Sequence, residues 1–474
     1  MTVWVGIDLG TQSVRAMAVT DAGDVVGAAS RPLTSRRDGD RHEQDPEQWY
    51  AALAAACAEA LRDVPSDEVG GVAVDATSGT VLLVDDAGAP RSPALMYDDR
   101  RAAAFLPRVN EAGGAVWDRL GYRAMQPPWA LPKLLWLLRE FPGDFRLAHQ
   151  NDYVNRRLVG RATAADLSNA LKTGVDLMAE DWPRDVMAAL GVPDAVLPPV
   201  VRPGSVLGTV CAAASKETGL LEGTPVIAGT TDGCAAQLGA GATTPGSWNS
   251  VLGTTLVLKG VTREPVRDPL GVVYSHRAPD GGWLPGGASS TGTGVLSRDL
   301  PGRDLDKLSY EAARRPALDA VTYPLVSPGE RFPFNAPEAR GFTLGEIDDD
   351  VARYAAAIRG AAFIERLCFD YLDLLGAPVD GEIILTGGAA RSRYVTQVRA
   401  DALGRPVTLR ENAEPALGMA LLAQGLTATM ARTREVVEPR PADQAHYLRF
   451  VDALAARGWL PAHVAAHAHE RSAR

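Results

Sequence analysis

Lysine is scarce in this chain: five occur among 474 residues (Lys133, Lys172, Lys216, Lys259 and Lys307), and none follows a glycine. That excludes a GxxxxGK[ST] loop, whose lysine must reach the outer phosphates from a glycine-rich turn. No GxGxxG opens a helix after the first apolar strand, and neither GxSxG nor HExxH occurs, which removes Rossmann dehydrogenase, serine hydrolase and zincin chemistry. The four cysteines (Cys57, Cys211, Cys234, Cys368) are far apart and form no CxxC pair, so neither a zinc site nor a disulfide framework is indicated. No apolar run reaches the 18 or more residues of a spanning helix. Basic residues are outnumbered, 48 Lys plus Arg against 58 Asp plus Glu, and a net charge of −10 argues against a nucleic-acid partner, which asks for a basic stripe. The first residues run straight into a strand pattern without a basic leader, so the expectation is a soluble, cytoplasmic protein with no membrane partner.

What is present suits an ordinary globular protein, with 46% hydrophobic and 22% charged residues. The length suggests two large domains or about three smaller ones. Val3 to Ile7 reads as a strand, Asp8 to Ser13 as a turn, and Val14 to Val19 and Val25-Val26 as the next strands of a meander. Asp45-Pro46-Glu47 carries a helix start (cap, first-turn proline and first-turn acid) and leads into a helix over about 48–62. Val69 to Val74 and Val81 to Val84 read as strands, and strands interleaved with helices of 10–15 residues predict an α/β architecture. Leu134 to Leu138 reads as a buried helix face. Trp248 to Leu258 repeats the opening pattern of strand, Gly-Thr turn and strand 243 residues later, which suggests two similar domains. The stretch from Gly239 to Gly246 has the composition of the boundary. A final helix from about Asp443 to Gly458 and a frayed tail are expected; the tail's His463, His467 and His469 then carry no metal site.

Three turns end strands with small residues: Asp8-Leu9-Gly10-Thr11, Gly253-Thr254-Thr255, and Leu385-Thr386-Gly387-Gly388-Ala389-Ala390. Glycines let backbone N–H groups approach a polyanion, and Thr or Ser hydroxyls add neutral donors. The third turn precedes a helix over Ser392 to Leu403, whose N-terminus favours an anion. Each could equally be a tight turn; together they suggest a nucleotide site. Asp232, in Gly229-Thr230-Thr231-Asp232-Gly233, reads either as an N-cap or as a general base that takes a proton from an alcohol. Asp8, at a strand end beside a phosphate turn, suits Mg²⁺, or else stabilises the turn.

These residues resemble the FGGY family of carbohydrate kinases. The resemblance covers about 3–430, through Gly6-Ile7-Asp8-Leu9-Gly10-Thr11, Glu43-Gln44-Asp45-Pro46-x-x-Trp49 and Pro132-Lys133-Leu134-Leu135-Trp136-Leu137. It continues through Asp152-Tyr153, Gly229 to Gly233, Gly253-Thr254-Thr255 and Thr386 to Ala389. It implies an α/β fold of two ribonuclease-H-like domains of the actin/hexokinase type with a catalytic cleft between them. The expected segments are 1–241 on the sugar and phosphate side, 242–430 on the nucleotide side, and 431–474 as C-terminal helix and tail. The implied reaction is transfer of the γ-phosphate of Mg-ATP to a terminal sugar hydroxyl, mostly a matter of positioning and charge neutralisation. Asp232 matches the family's base and Asp8 the acid near Mg²⁺. Gly10, Thr11, Gln12, Gly253 and Thr254 match the phosphate turns, and Gly387, Gly388 and Ser392 the adenosine side.

For the sugar, the family resemblance points to Thr77, Ser78, Asp98 and Asp232. Asp75-Ala76-Thr77-Ser78-Gly79-Thr80 stands where xylulose kinases usually show Met-His-Gly and glycerol kinases Asn-Gln-Arg. Tyr97-Asp98-Asp99-x-Arg101 stands where many members show Trp-Asn-Asp-x-Arg. With Tyr274 to Arg277 and Gly286 to Ser289, the Thr-Ser segment looks more like the D-ribulose kinase branch. A pentulose kinase favouring D-ribulose is therefore expected, with D-xylulose or another polyol as the alternative. An actin-like ATPase or a non-catalytic sugar sensor is the reading from a different class. Partners are the sugar and ATP, and a homodimer is compatible.

Overall fold

The computed structural model describes residues 2–316, 318–426, 430–441 and 444–473. They form two compact units: Met1–Thr243, Ser275–Leu284 and Asn412–Arg432 make the first, and Thr244–Tyr274, Pro285–Glu411 and Thr433–Arg474 the second. The break at Thr243 falls inside the expected glycine- and proline-bearing stretch. The later breaks do not follow the continuous segments 242–430 and 431–474, because Asn412–Arg432 packs with the first unit.

In the first unit, alternating strand residues are apolar on both faces. Val3, Val5, Ile7 and Leu9 join one cluster with Val14, Ala16, Ala18 and the helix Pro46–Ala60. Met17 and Val19 point the other way and pack on Ala416, Leu417, Ala420 and Leu421 of the helix Pro415–Gln424. A sheet with helices on both faces is the layer solution such a pattern demands. Its strands lie in the order Val206–Thr209, Pro225–Ile227, Val69–Ala76, Val3–Leu9, Ser13–Thr20, Val25–Pro32. Val3–Leu9 pairs antiparallel with Ser13–Thr20 and parallel with Val69–Ala76, which pairs parallel with Pro225–Ile227. Close approach needs glycine here. A Cβ at Gly6 would lie 1.8 Å from Ala416 O, and one at Gly418 1.9 Å from Ala235 O in the helix Asp232–Gly239.

The second unit repeats the pattern. Trp248–Leu252 pairs antiparallel with Leu256–Gly260 across Gly253-Thr254 and parallel with Ile383–Thr386, which pairs parallel with Val407–Arg410. Its core gathers Trp248, Leu258, Phe332 and Phe334 around the long helix Asp350–Leu374. The tail differs from the expected frayed end. Residues Ala462–Ser472 form a helix, whose His467 bonds Asp373 at 2.8 Å and whose Val464 and Ala468 are buried. The preceding helix is Gln444–Ala456; its expected start, Asp443, lies outside the described residues. Among the described residues, no helix is long and apolar enough to cross a membrane.

Candidate active site

Two aspartates lie at the ends of neighbouring parallel strands of the first unit, and a third opens the helix that follows the next strand. Asp8 is in register with Asp75. Asp232 follows the bridge Ala76↔Thr231, with Ala76 N donating to Thr230 O at 3.2 Å. The strand register therefore brings Asp8 and Asp75 to the same end of the sheet, and the bridge at Thr231 brings Asp232 beside them. Burial, then the charge of Asp232, raises the Asp8 carboxyl to about 6. Asp75 is fully buried, and burial together with the charges of Asp8 and Asp232 pushes it well above the carboxylate range. Both Asp75 carboxyl oxygens are buried with no hydrogen-bond donor, so nothing there compensates a charge. Burial and the two neighbouring acids therefore favour the neutral form of Asp75. Asp75 was not among the sequence-predicted site residues; its signal is an acid closing the otherwise apolar run from Val72 to Ala76.

Asp232 is not an N-cap. Thr231 occupies that position, and Asp232 is the first residue of its helix, with Oδ1 accepting from Gly233 N at 2.7 Å. Its carboxylate thus sits at a helix N-terminus, half-buried beside Asp8.

The Gly10–Thr11 turn is held from outside. Gly10 N donates to Ser13 O at 3.1 Å, and Gln44 Nε2 donates to Thr11 O at 2.7 Å, while Trp49 Nε1 fixes Gln44 Oε1 at 2.6 Å. Gln44 has a positioning task that sequence reasoning missed, although it stands in a recognised segment. Thr11 Oγ1 lies 3.4 Å from Thr77 Oγ1, which brings the first turn to the Thr77-Ser78 turn. Gln12 is exposed, its carbonyl taken by Leu33 N.

Long side chains from three helices grip the Thr77–Gly79 turn. Gln150 Oε1 accepts from Thr77 N at 3.2 Å, and Lys172 Nζ donates to Ser78 O at 3.2 Å. Lys133, fully buried, donates to Gly79 O at 2.9 Å and Met96 O at 2.5 Å, and burial lowers its ammonium to about 7. Ser78 Oγ is buried with no protein hydrogen-bond partner, so it is free to meet a hydroxyl. Asp98 is already engaged: Oδ1 meets His42 Nδ1 at 2.5 Å, and Oδ2 accepts from Arg37 at 3.0 Å. Burial would raise its carboxyl, but these two partners win and hold it below the usual range.

In the second unit, Gly253-Thr254 and Gly387 close adjacent parallel strands, Val251 being in register with Thr386. Gly387 adopts φ 83°, and a Cβ there would lie 2.7 Å from Leu252 O, so the turn demands glycine. Gly253 and Gly388 face open space. Ser392 caps the helix Arg393–Leu403, one residue ahead of its first turn, accepting from Val395 N at 3.3 Å and meeting Ser309 Oγ at 2.7 Å. It lines a cavity of about 990 Å³ together with Ser309, Tyr310, Phe363 and Tyr394. Gly253, Thr254, Gly387 and Gly388 are not among that cavity's lining residues.

Residues 3–239 match the N-terminal domain of the FGGY family of carbohydrate kinases, and residues 248–425 match its C-terminal domain. The chain belongs to the FGGY family of carbohydrate kinases. Among relatives of this FGGY chain, the xylulose kinase of Streptomyces coelicolor is 34% identical over 89% of this chain and 87% of its own length. The xylulose kinase of Escherichia coli is 28% identical over 94% of each. The crystal structure of xylulose kinase from Rhodospirillum rubrum superposes with a TM-score of 0.86 at 27% identity, covering 96% of this chain and 99% of that one. The fold is thus the two-domain α/β arrangement of actin/hexokinase-like sugar kinases, and the chain is an ATP-dependent carbohydrate kinase, a phosphotransferase with an alcohol acceptor.

Proposed function

We propose that this FGGY kinase phosphorylates a ketopentose at its terminal hydroxyl, with xylulose as the first candidate substrate. The supporting observation is the 34% identity over 89% of the chain to a protein named xylulose kinase. D-ribulose, favoured by the sequence, is the second candidate: Thr77 and Ser78 replace Met-His, and the unpartnered Ser78 Oγ is an added hydroxyl for a substrate of different stereochemistry.

In this reading the Asp232 carboxylate accepts the proton of the terminal hydroxyl as its oxygen bonds the γ-phosphorus and ADP leaves. Thr77 and Ser78 hold sugar hydroxyls, and Asp98 orients through His42. Gly10 and Thr11 meet the transferring phosphate. Gly253 and Thr254 cradle the remaining phosphates, and Gly387, Gly388 and Ser392 meet the adenosine. The donor set fits a divalent cation, because Asp8 is a hard carboxylate ligand whose ionised form is disfavoured by burial and by Asp232, a penalty that a bound cation would relieve. Bound there, Mg²⁺ would neutralise charge on the phosphates.

An ADP-release assay with Mg-ATP against D-xylulose, D-ribulose, L-xylulose, L-ribulose, glycerol and gluconate tests the reading. Turnover concentrated on one ketopentose is the expected outcome; turnover on glycerol or gluconate alone would overturn it. Asp232→Ala is expected to keep nucleotide binding and to lower sugar-dependent turnover by about 10²–10⁴-fold. Activity within a few-fold of wild type would remove Asp232 from the base role.

A further inference from the structure

Glu330 is a buried carboxylate, 2% exposed, held by five donors without an ion pair among the described residues. Its Oε2 accepts from Ser289 Oγ at 3.1 Å, Thr291 Oγ1 at 2.8 Å and Tyr323 OH at 2.8 Å. Its Oε1 accepts from Ser290 N at 2.6 Å and from Arg331 N at 2.9 Å. Three of the five donors belong to Ser289, Ser290 and Thr291, so the carboxylate fixes this short segment. Nothing in the function proposed above uses it.

The segment continues into Thr293 and Gly294, which bond the Gly253-Thr254 turn. Thr293 N and Thr293 Oγ1 both donate to Gly253 O at 2.8 Å, and Gly294 N donates to Thr254 O at 3.2 Å. Leu256 N donates to Thr291 O at 2.8 Å, closing the other side. Between them, a Cβ at Gly292 would lie 2.5 Å from Thr254 O, so the two backbones are in contact without room for adjustment. A trans peptide directs its C=O and N–H to opposite sides. With the carbonyls of Gly253 and Thr254 bound to Thr293 and Gly294, the N–H groups of Thr254 and Thr255 are turned away from that segment. Two successive N–H groups presented on one side form the concavity that takes a phosphate oxygen.

We propose that Glu330 is a positioning residue for nucleotide phosphate binding: through Ser289–Thr291 it sets the segment whose Thr293 and Gly294 aim the amides of the Gly253–Thr255 turn. This rests on the reading of Gly253-Thr254 as a phosphate turn. The carboxylate touches no substrate itself. It fixes a cradle whose donors are backbone groups, and backbone groups can be aimed only by what holds their carbonyls.

The test compares Glu330→Gln and Thr293→Val in the full-length kinase, with Gly253→Val as a direct lesion of the turn. KM for ATP, KM for the sugar, kcat, calorimetric ADP affinity and Tm are measured. Glu330→Gln replaces one acceptor by a donor facing donors, and should raise KM for ATP and weaken ADP by about tenfold. Thr293→Val removes one hydroxyl from Gly253 O at nearly constant volume and should raise KM for ATP about threefold. Sugar KM should stay within about twofold in both, a split that general loosening would not produce. Glu330→Asp, which keeps the charge on a shorter arm, should recover part of the loss. Wild-type nucleotide affinity in folded Glu330→Gln overturns the inference, as does a sugar KM that rises in proportion. Should Glu330→Gln not fold, Thr293→Val decides alone, and unchanged KM for ATP overturns it. If Gly253→Val leaves nucleotide binding intact, the phosphate-turn reading fails and this inference with it. If Gly253→Val weakens ADP while the other two variants do not, only the role of Glu330 fails.

Discussion

At the scale of single residues, the first unit keeps three carboxyls together that ordinary surface chemistry would separate. Strand register forces the contact: Asp8 and Asp75 are neighbours on parallel strands, and Asp232 begins the helix after the next one. The cost is readable at Asp8, whose carboxyl rises from 3.8 to about 6. A carboxyl with a higher pKa folded than unfolded binds more protons in the folded state between those values. Its contribution to stability is therefore fully present below about pH 4 and is lost as pH rises through about 6. At about 1.4 kcal/mol per pH unit, the rise corresponds to about 3 kcal/mol of strain at pH 8 in the ligand-free protein. Asp8→Asn should accordingly raise Tm at pH 8 while abolishing Mg²⁺-dependent turnover, and the gain should shrink towards pH 4. Thermal melts of both proteins across pH 4–8 check this, and a gap that does not depend on pH would refute it. Lys133 stores the opposite sign, its ammonium being lowered to about 7. Its folded form sheds a proton that the unfolded chain keeps, so Lys133 favours the folded state more as pH rises above 7. Lys133→Met would take the Lys133 donor from the buried Gly79 O and leave Met96 O with Asp99 N alone, and is expected to cost about 1–3 kcal/mol in urea unfolding. It should also raise sugar KM, since it releases the Thr77–Gly79 turn. A variant with normal stability would show that Gly79 O does not depend on Lys133.

At the scale of elements, glycine decides which segments meet. Gly6 in the first strand and Gly418 in the helix Pro415–Gln424 sit where backbones approach so closely that a methyl group would overlap Ala416 O or Ala235 O. Gly6→Ala should therefore displace that helix and cost more than the about 1–3 kcal/mol usual for overpacking, since the obstacle is backbone and cannot rotate away. Chemical denaturation measures it, and a loss below about 1 kcal/mol would mean that the helix shifts freely. The same contacts mark the limit of sequence reading. The strand–turn–strand openings at Val3–Thr20 and Trp248–Gly260 are legible because alternation and Gly-Thr turns are local signals. So is the Asp45 cap. The allegiance of Pro415–Gln424 is not, because it depends on clearance between segments hundreds of residues apart. Asp232 illustrates the intermediate case. Caps favour Asp strongly, but Thr231 is the cap, and the proximity of Asp232 to Asp8 is visible only in three dimensions.

At the scale of the whole molecule, the two units share one strand plan: an antiparallel meander whose first strand pairs parallel with a distant strand, Val69–Ala76 in one and Ile383–Thr386 in the other. The chain reaches this plan discontinuously, returning to the first unit at Asn412 after completing much of the second. That return is energetically necessary for the first sheet. Its outer face carries Met17, Val19, Ala73 and Ile227, which pack on Ala416, Leu417, Ala420 and Leu421 and on Met419 and Leu422. Without the returning helix those strand residues face water, and the two-sided sheet loses one of its layers. Residues 1–243 alone should then lack a cooperative urea transition and should bind a hydrophobic dye, as collapsed chains with exposed apolar surface do. Joining residues 275–284 and 412–432 to that fragment through flexible linkers should restore a single cooperative transition, because the helix brings its apolar face and its glycine with it. The urea midpoints of the two polypeptides decide the matter: a fragment 1–243 that unfolds cooperatively at the midpoint of the completed unit would show that the helix covers the sheet without holding it.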